Sequence, residues 1–330
     1  MFFRLSTDQT RQPIDLQNLF AGPHGSTCWI VGGGPSLTDL PLEEIDRSPA
    51  PKLAVNLAGV KRLRPDVWTA YDPTARFHRS TYLDGRILKL LPRFRASDLV
   101  PETTFKVSDC PAVAFFDLEG RGYHDAVQAG QKRVLDWADS LVMALDIAFR
   151  LGFRRLLLAG CDMQVRPSEE QRALARRAGV TDDPLESLGA FVRRCREAGL
   201  TTEQLQRCRP PAVYHFDETK DLNTAVSTDA HYDRITQALR QSRRTFATAG
   251  LQIVSVTPDS RLNDHFPYRP AADAAAELFR QCGDVRRETE RGRYHTTGPR
   301  LPDGVGPMYD APPPRREKKP PAKEPVFLQE

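Results

Sequence analysis

The chain has 330 residues, with 47 lysines and arginines against 43 aspartates and glutamates, a formal charge of +4 and a sequence pI near 8.7. That length is enough to bury the core of one main globular unit. The mildly basic balance suits a phosphorylated ligand, but the charges are interspersed without the single-sign clusters of a protein built chiefly to grip nucleic acid, so nucleic acid enters only as an acceptor.

Residues 1–27 read as an N-terminal extension. The first strong element is the apolar run Cys28-Trp29-Ile30-Val31, which meets Gly32-Gly33-Gly34-Pro35-Ser36 and then alternates polar and apolar residues towards Ile45, the pattern of a strand, a tight turn and a helix start. Residues 52–55 form a second buried strand ending at Asn56, and residues 66–71 a third ending at Asp72-Pro73. Residues 87–91, 104–107 and 112–116 are shorter strand candidates. A mostly buried helix is expected over 140–151, opened by Asp139 or Ser140 and ended by Gly152. Residues 154–160 then form a central strand closing at Cys161-Asp162, and a helix followed at once by a strand implies a parallel crossover. The charged, helix-prone stretch 168–209 reads as an inserted helical lid, residues 230–249 as a further helix ended by Gly250, and residues 251–256 as another strand. The proline-rich, charged segment 296–330 reads as a disordered tail. The expected fold is α/β: a Rossmann-like, mostly parallel sheet spanning residues 28–295, with helices on both faces.

The six cysteines lie far apart, form no metal-ligand spacing and read as reduced thiols, Cys28 and Cys161 as core residues. No apolar run is long enough for a signal peptide or membrane helix, so the expected location is cytoplasmic, with no membrane partner.

Glycines after a buried strand let backbone amides approach a phosphate, the following helix start adds partial positive charge, and Ser36 adds a hydroxyl. The loop is neither the GxxxxGK[ST] phosphate loop nor a complete GxGxxG. Three further strands end in polar residues suited to a shared site, Asn56, Asp72 and Asp162, and Ser140 stands at the start of the buried helix. In open α/β sheets those carboxyl ends are where ligands bind.

The run Val31-Gly32-Gly33-Gly34-Pro35-Ser36-Leu37, the strand ending at Asn56, Tyr71-Asp72-Pro73, Asp139-Ser140 with its helix, Leu151-Gly152-Phe153 and Ala159-Gly160-Cys161-Asp162 together resemble the DUF115 group. That group includes the MptE-like 6-hydroxymethylpterin diphosphokinases and the central domain of Maf flagellin glycosyltransferases, and it is similar in fold to the family 42 bacterial sialyltransferases. The resemblance covers roughly residues 28–72 and 139–260. It implies a nucleotide held between the glycine loop and the helix led by Ser140, with Gly34 and Ser36 facing phosphate or ribose and Asn56 and Asp72 lining the donor pocket. Gly33 and Asp72 stand where those sialyltransferases have asparagine, and their tyrosine pair after the position of Asp162 is missing, which argues against sialic acid transfer itself.

A general base near neutral pH is most readily a histidine. His215, in Tyr214-His215-Phe216-Asp217, and His231, in Thr228-Asp229-Ala230-His231-Tyr232, both fall where the family places its base, in the loop ahead of the last helix; His215 is marginally preferred, and Asp162 is grouped with them as catalytic. Asp72 and Asp162 could also hold Mg²⁺ against a triphosphate. The leading expectation is a nucleotide-dependent transferase of glycosyltransferase type, using a nucleotide or nucleotide-sugar donor and a hydroxyl acceptor. The alternatives are an MptE-like ATP-dependent diphosphokinase acting on a pterin-like or other small alcohol, and a non-catalytic nucleotide-binding protein.

Overall fold

The structure is a computed structural model that describes residues 1–6, 9–16, 27–56, 63, 65–121, 133–181, 183, 186–213, 215–216 and 218–282. The predicted tail at 296–330 lies outside the described residues.

The chain opens with β1 (Phe2–Leu5) and β2 (Arg11–Ile14), followed by β3 (Thr27–Val31), a 3-10 turn at Pro35–Asp39 and α1 (Leu42–Arg47). Next come β4 (Lys52–Val55), β5 (Val67–Thr69), α2 (Arg79–Leu83), β6 (Leu88–Pro92), β7 (Val113–Phe116), β8 (Leu118–Arg121) and β9 (Val134–Asp136). The remainder is α3 (Ser140–Arg150), β10 (Arg155–Ala159), α4 (Glu169–Arg177), α5 (Leu188–Glu197), α6 (Thr202–Arg207), α7 (Leu222–Gln241), α8 (Arg243–Thr248), β11 (Gln252–Ser255) and α9 (Ala271–Cys282).

Nine strands form one sheet in the order β11-β10-β3-β4-β5-β6-β7-β1-β2. The seven from β11 to β7 run parallel, so the expected α/β class with a mostly parallel sheet is what the structure has. Strands buried on both faces need apolar residues throughout. Cys28 and Ile30 accordingly enter the core that α3 covers, and Trp29 and Val31 enter the opposite core beneath α1 and α9. The chain winds one way from β3 to β7, then crosses back and lays β10 on the other side of β3. That reversal positions the site described below.

Several expectations need correction. The segment before residue 27 is not a mere extension: β1 pairs antiparallel with β7 and with β2, and Phe2 and Phe3 pack against Phe116 and Phe115 on opposite faces of the sheet. Residues 104–107 form no strand, because Lys106 makes only an isolated bridge to Leu99 and Val107 begins a 3-10 turn. The helix expected over 230–249 starts at Leu222, where Asp221 caps the amides of Asn223 and Thr224, and it is followed by α8 after Ser242.

The insertion forms α4, α5 and α6 around its own small core, which includes Phe191, Cys195 and Leu205 and closes on Leu222 and Ala225 of α7. One buried carboxylate fastens it. Asp229 of α7, 1% exposed, accepts the Val165 amide at 2.9 Å, the Leu188 amide at 2.9 Å and the Arg261 guanidinium at 3.1 Å. Removing a buried carboxylate leaves these donors without a partner. Asp229→Ala is expected to cost about 3–5 kcal/mol, and hydrogen exchange should show α4, α5 and α6 losing protection while β3 and β10 keep theirs. Unchanged protection in those helices would contradict this role.

Candidate functional site

At the point where the winding reverses, the loops after β3 and β10 diverge to opposite faces, which opens a crevice at the carboxyl ends of the strands. A cleft of about 380 Å³ lies there, lined by Gly32, Gly33 and Gly34, by Asn56, Tyr71 and Asp72 at the ends of β4 and β5, by Ala138 to Leu141 at the start of α3, by Gly160 to Met163 after β10, and by one face of α7. That volume falls within the range of small-ligand sites.

The glycines answer first to backbone packing. The Gly32 and Gly34 amides donate to the carbonyls of Ala159 and Gly160, each at 2.8 Å. A Cβ at Gly32 would stand 2.6 Å from the Gly160 carbonyl oxygen, and one at Gly34 would stand 1.9 Å from a carboxylate oxygen of Asp162. Asp162 in turn accepts the Ser36 hydroxyl at 2.8 Å and the Ser36 amide at 3.3 Å. Three of the four donors expected to face an anion are thus committed to joining the two loops, and Ser36 does not line the cleft. Among the described residues, the Gly33 amide has no acceptor, and Gly33 does line it.

The other strand-end residues converge on one network. The Ser140 hydroxyl donates to Asn56 Oδ1 at 3.1 Å and accepts the Tyr71 amide at 3.2 Å, while Asn56 Nδ2 donates to Asp72 Oδ2 at 3.2 Å. Arg76 bridges the Asp72 carboxylate at 3.0 Å and Glu218 at 3.1 Å, tying this wall to the segment ahead of α7. Three non-glycine residues of the lining, Asn56, Ala138 and Met163, hold left-handed backbone at φ of 53°, 51° and 52°. Such conformations cost of order 1–2 kcal/mol each, asparagine least, and persist only where the surroundings impose them.

The facing wall is helical. Thr224, Ser227, Thr228 and His231 line the cleft at i, i+3, i+4 and i+7, so they share one face of α7, while Ala225 and Asp229 turn towards the insertion. His231 lies within the helix rather than in a loop ahead of it. Its Nε2 lies 3.2 Å from Asp139 Oδ2, and the other oxygen of Asp139 caps α3 by accepting the Val142 amide at 2.9 Å. His215 sits elsewhere: it is buried, stacks on Phe216 with ring centroids 4.3 Å apart, and is not part of the cleft lining. Sequence reasoning brought together Asn56, Asp72, Ser140 and Asp162 but missed Asp139 as a partner of His231, the hydroxyl row of α7, and Tyr232. The helical spacing of 224, 227, 228 and 231 was the signal available for the row.

Burial, aided by the nearby carboxylates of Asp139, Asp162 and Asp72, pushes the Tyr232 phenol well above its ordinary range, so it remains a neutral hydroxyl. Burial also pushes up the Cys161 thiol, which disfavours its thiolate form. Asp72, Asp139 and Asp162 line the cleft, and among the described residues its lining holds no lysine or arginine. Even so, no group of three or more His, Cys, Asp or Glu among the described residues could hold a metal ion. Asp72 is bonded to Asn56 and Arg76, and Asp162 to Ser36. Among the described residues, no helix is long and apolar enough to cross a membrane.

Burial holds the Asp162 carboxyl above its usual range, against the opposing pull of the Ser36 hydrogen bonds. A raised carboxyl disfavours the fold increasingly as pH climbs from the ordinary carboxylate range through the native value, and the cost is level above that. Asp162→Asn preserves both contacts, since its oxygen accepts the Ser36 amide and its NH₂ donates to Ser36 Oγ. The variant is expected to melt higher than the parent near neutral pH, with the gap closing at pH below the ordinary carboxylate range. A lower melting temperature at neutral pH, or a gap independent of pH, would refute this assignment.

No family model matches the chain, and comparison with curated proteins and with solved structures finds none similar to it.

Proposed function

We propose that the cleft binds a nucleotide donor and that the protein is a glycosyltransferase-type enzyme, moving a sugar from that donor to a hydroxyl acceptor. The observation that carries the reading is the His231–Asp139 pair opening on the same cleft as the Gly33 amide, at the reversal of a parallel sheet. The resemblance of its motif order to the DUF115 group supports it.

In this reading the donor phosphate rests between the Gly33 amide and the start of α3, where backbone N–H groups favour an anion. With Nε2 donating to Asp139, His231 keeps its basic lone pair on Nδ1. The acceptor oxygen attacks the anomeric carbon, its proton passes to Nδ1, and the bond from that carbon to the nucleotide's phosphate oxygen breaks with its electron pair leaving on the phosphate. Asp139 fixes the tautomer and stabilises the imidazolium that forms, the division of labour of histidine–carboxylate pairs generally. The Tyr232 phenol, held neutral, is available to donate to the departing oxygen. Among the described residues the lining is acidic and holds no lysine or arginine, which favours a donor of low phosphate charge.

A second reading draws on that same acidity. Asp72, Asp139 and Asp162 would attract a divalent cation carried in by a triphosphate, which needs only one or two protein carboxylates, and the enzyme would then be a diphosphokinase.

A thermal-shift panel of CMP, CDP, UDP, GDP, ADP and ATP, with and without Mg²⁺, is expected to give a rise in melting temperature with at least one nucleotide, corresponding to about 2.7 kcal/mol at a hundredfold excess over Kd. Release of nucleotide from CMP-, UDP- and GDP-sugars should fall about 10²- to 10⁴-fold in His231→Ala and much less in His215→Ala. Chelator-sensitive formation of AMP from ATP would favour the diphosphokinase instead. A shift with nucleotide but no turnover sensitive to either histidine would leave a non-catalytic binder, and no shift with any nucleotide would end the proposal.

A further inference from the structure

Along the carboxyl edge of the sheet, β3 ends in the glycine loop, β4 in Asn56, β5 in Tyr71 and Asp72, and β6 in the turn that carries Phe94. Tyr71 lines the cleft. Phe94 meets it edge to face, with centroids 6.2 Å apart and planes at 76°. The Arg95 guanidinium lies 4.8 Å from the centre of the Phe94 ring, and it is itself held by the Tyr71 carbonyl at 3.1 Å and by Asp98 at 3.3 Å. Asp98 is anchored by the Thr74 hydroxyl at 2.7 Å. Despite these ties Phe94 is 52% exposed, whereas Phe77 and Tyr82, packed on Trp68 beneath the same strands, are each 1% exposed.

Single exposed apolar residues need no explanation. This one differs in being fixed in place by a ring and a guanidinium beside a polar cleft, with half its surface open. A rigid aromatic face of that kind offers stacking to any planar ring, and a guanidinium behind it adds to the attraction.

We infer that Phe94 is the stacking platform for the nucleobase of the donor, an assignment that rests on the proposed nucleotide reading and extends it. A nucleotide whose phosphate sits at the glycine loop would pass its ribose across Asn56 and Asp72 and bring its base to the end of β6. Adjacent strands lie about 4.8 Å apart, so that path crosses three strand spacings, within reach of an extended nucleoside diphosphate. Stacking is tolerant of base identity, so Phe94 sets affinity, and discrimination among bases falls to polar groups around it.

Isothermal titration of UDP, CDP, GDP, ADP and inorganic pyrophosphate into the parent protein, Phe94→Ala and Phe94→Trp tests this. Phe94→Ala is expected to bind the nucleoside diphosphates about tenfold or more weakly and to bind pyrophosphate as the parent does, while Phe94→Trp binds both like the parent. Equal nucleoside diphosphate affinity in Phe94→Ala and the parent would overturn the inference while leaving the nucleotide reading intact. A parallel loss of pyrophosphate binding would also overturn it, because the change would then act on the cleft as a whole. A parent protein that binds none of the nucleoside diphosphates would overturn this inference, and one that binds no nucleotide at all, CMP and ATP included, would overturn the nucleotide reading as well.

Discussion

The architecture depends on one close backbone approach, between the loop that leaves β3 and the loop that leaves β10. Gly32 and Gly34 donate to the carbonyls of Ala159 and Gly160, and Gly160 holds a left-handed backbone with φ of 66°. A side chain at any of the three glycines would meet backbone or the Asp162 carboxylate. Two parallel strands can thus stand side by side while their following segments part to opposite faces of the sheet. The crevice is a consequence of that divergence, and the Asp162–Ser36 bonds hold its floor. Glycine at these positions serves the sheet before it serves any ligand.

The second determinant is α7, which works on two faces. Its polar stripe from Thr224 to His231 walls the cleft, and its other face binds the insertion through Ala225 and the buried Asp229. Because Asp229 also holds Arg261, whose amide donates to the Asp162 carbonyl, the insertion, α7 and the loop after β10 form one connected unit. None of the cleft-lining residues comes from α4, α5 or α6, so the insertion acts on the cleft by buttressing the helix that carries His231. Among the described lining residues, which include no lysine or arginine, partial positive charge comes from backbone: the Gly33 amide and the first turn of α3. Such donors are few, and in the proposed reading they favour a phosphate that can lie close to the chain.

Much of this was legible in the sequence because buried parallel strands declare themselves. Runs such as 28–31, 53–55 and 156–159 are apolar throughout and lead into polar or glycine residues, and such strand ends supplied Asn56, Asp72 and Asp162. The parts that were missed obey other rules. Phe2 and Phe3 occupy a strand too short to show a period, and its pairing with β7 is set by contacts more than a hundred residues away. Thr224, Ser227 and Thr228 look like ordinary surface polarity, since only tertiary placement separates a stripe facing solvent from one facing a cleft. Asp139 was seen as a possible helix opener, but its second oxygen, the one that meets His231, depends on a crossing of α3 and α7 that no local pattern encodes.

If the cleft is a nucleotide site, the donors that meet the phosphate must be the few backbone amides not already spent on the fold. Amide chemical shifts recorded while the full chain is titrated with nucleoside diphosphates measure this directly. The largest changes are expected at Gly33, Ser140 and Leu141, with Gly32 and Gly34 moving less because their hydrogen bonds to β10 persist. Saturable changes confined to residues away from these loops, with Gly33 and the start of α3 unmoved, would contradict the account.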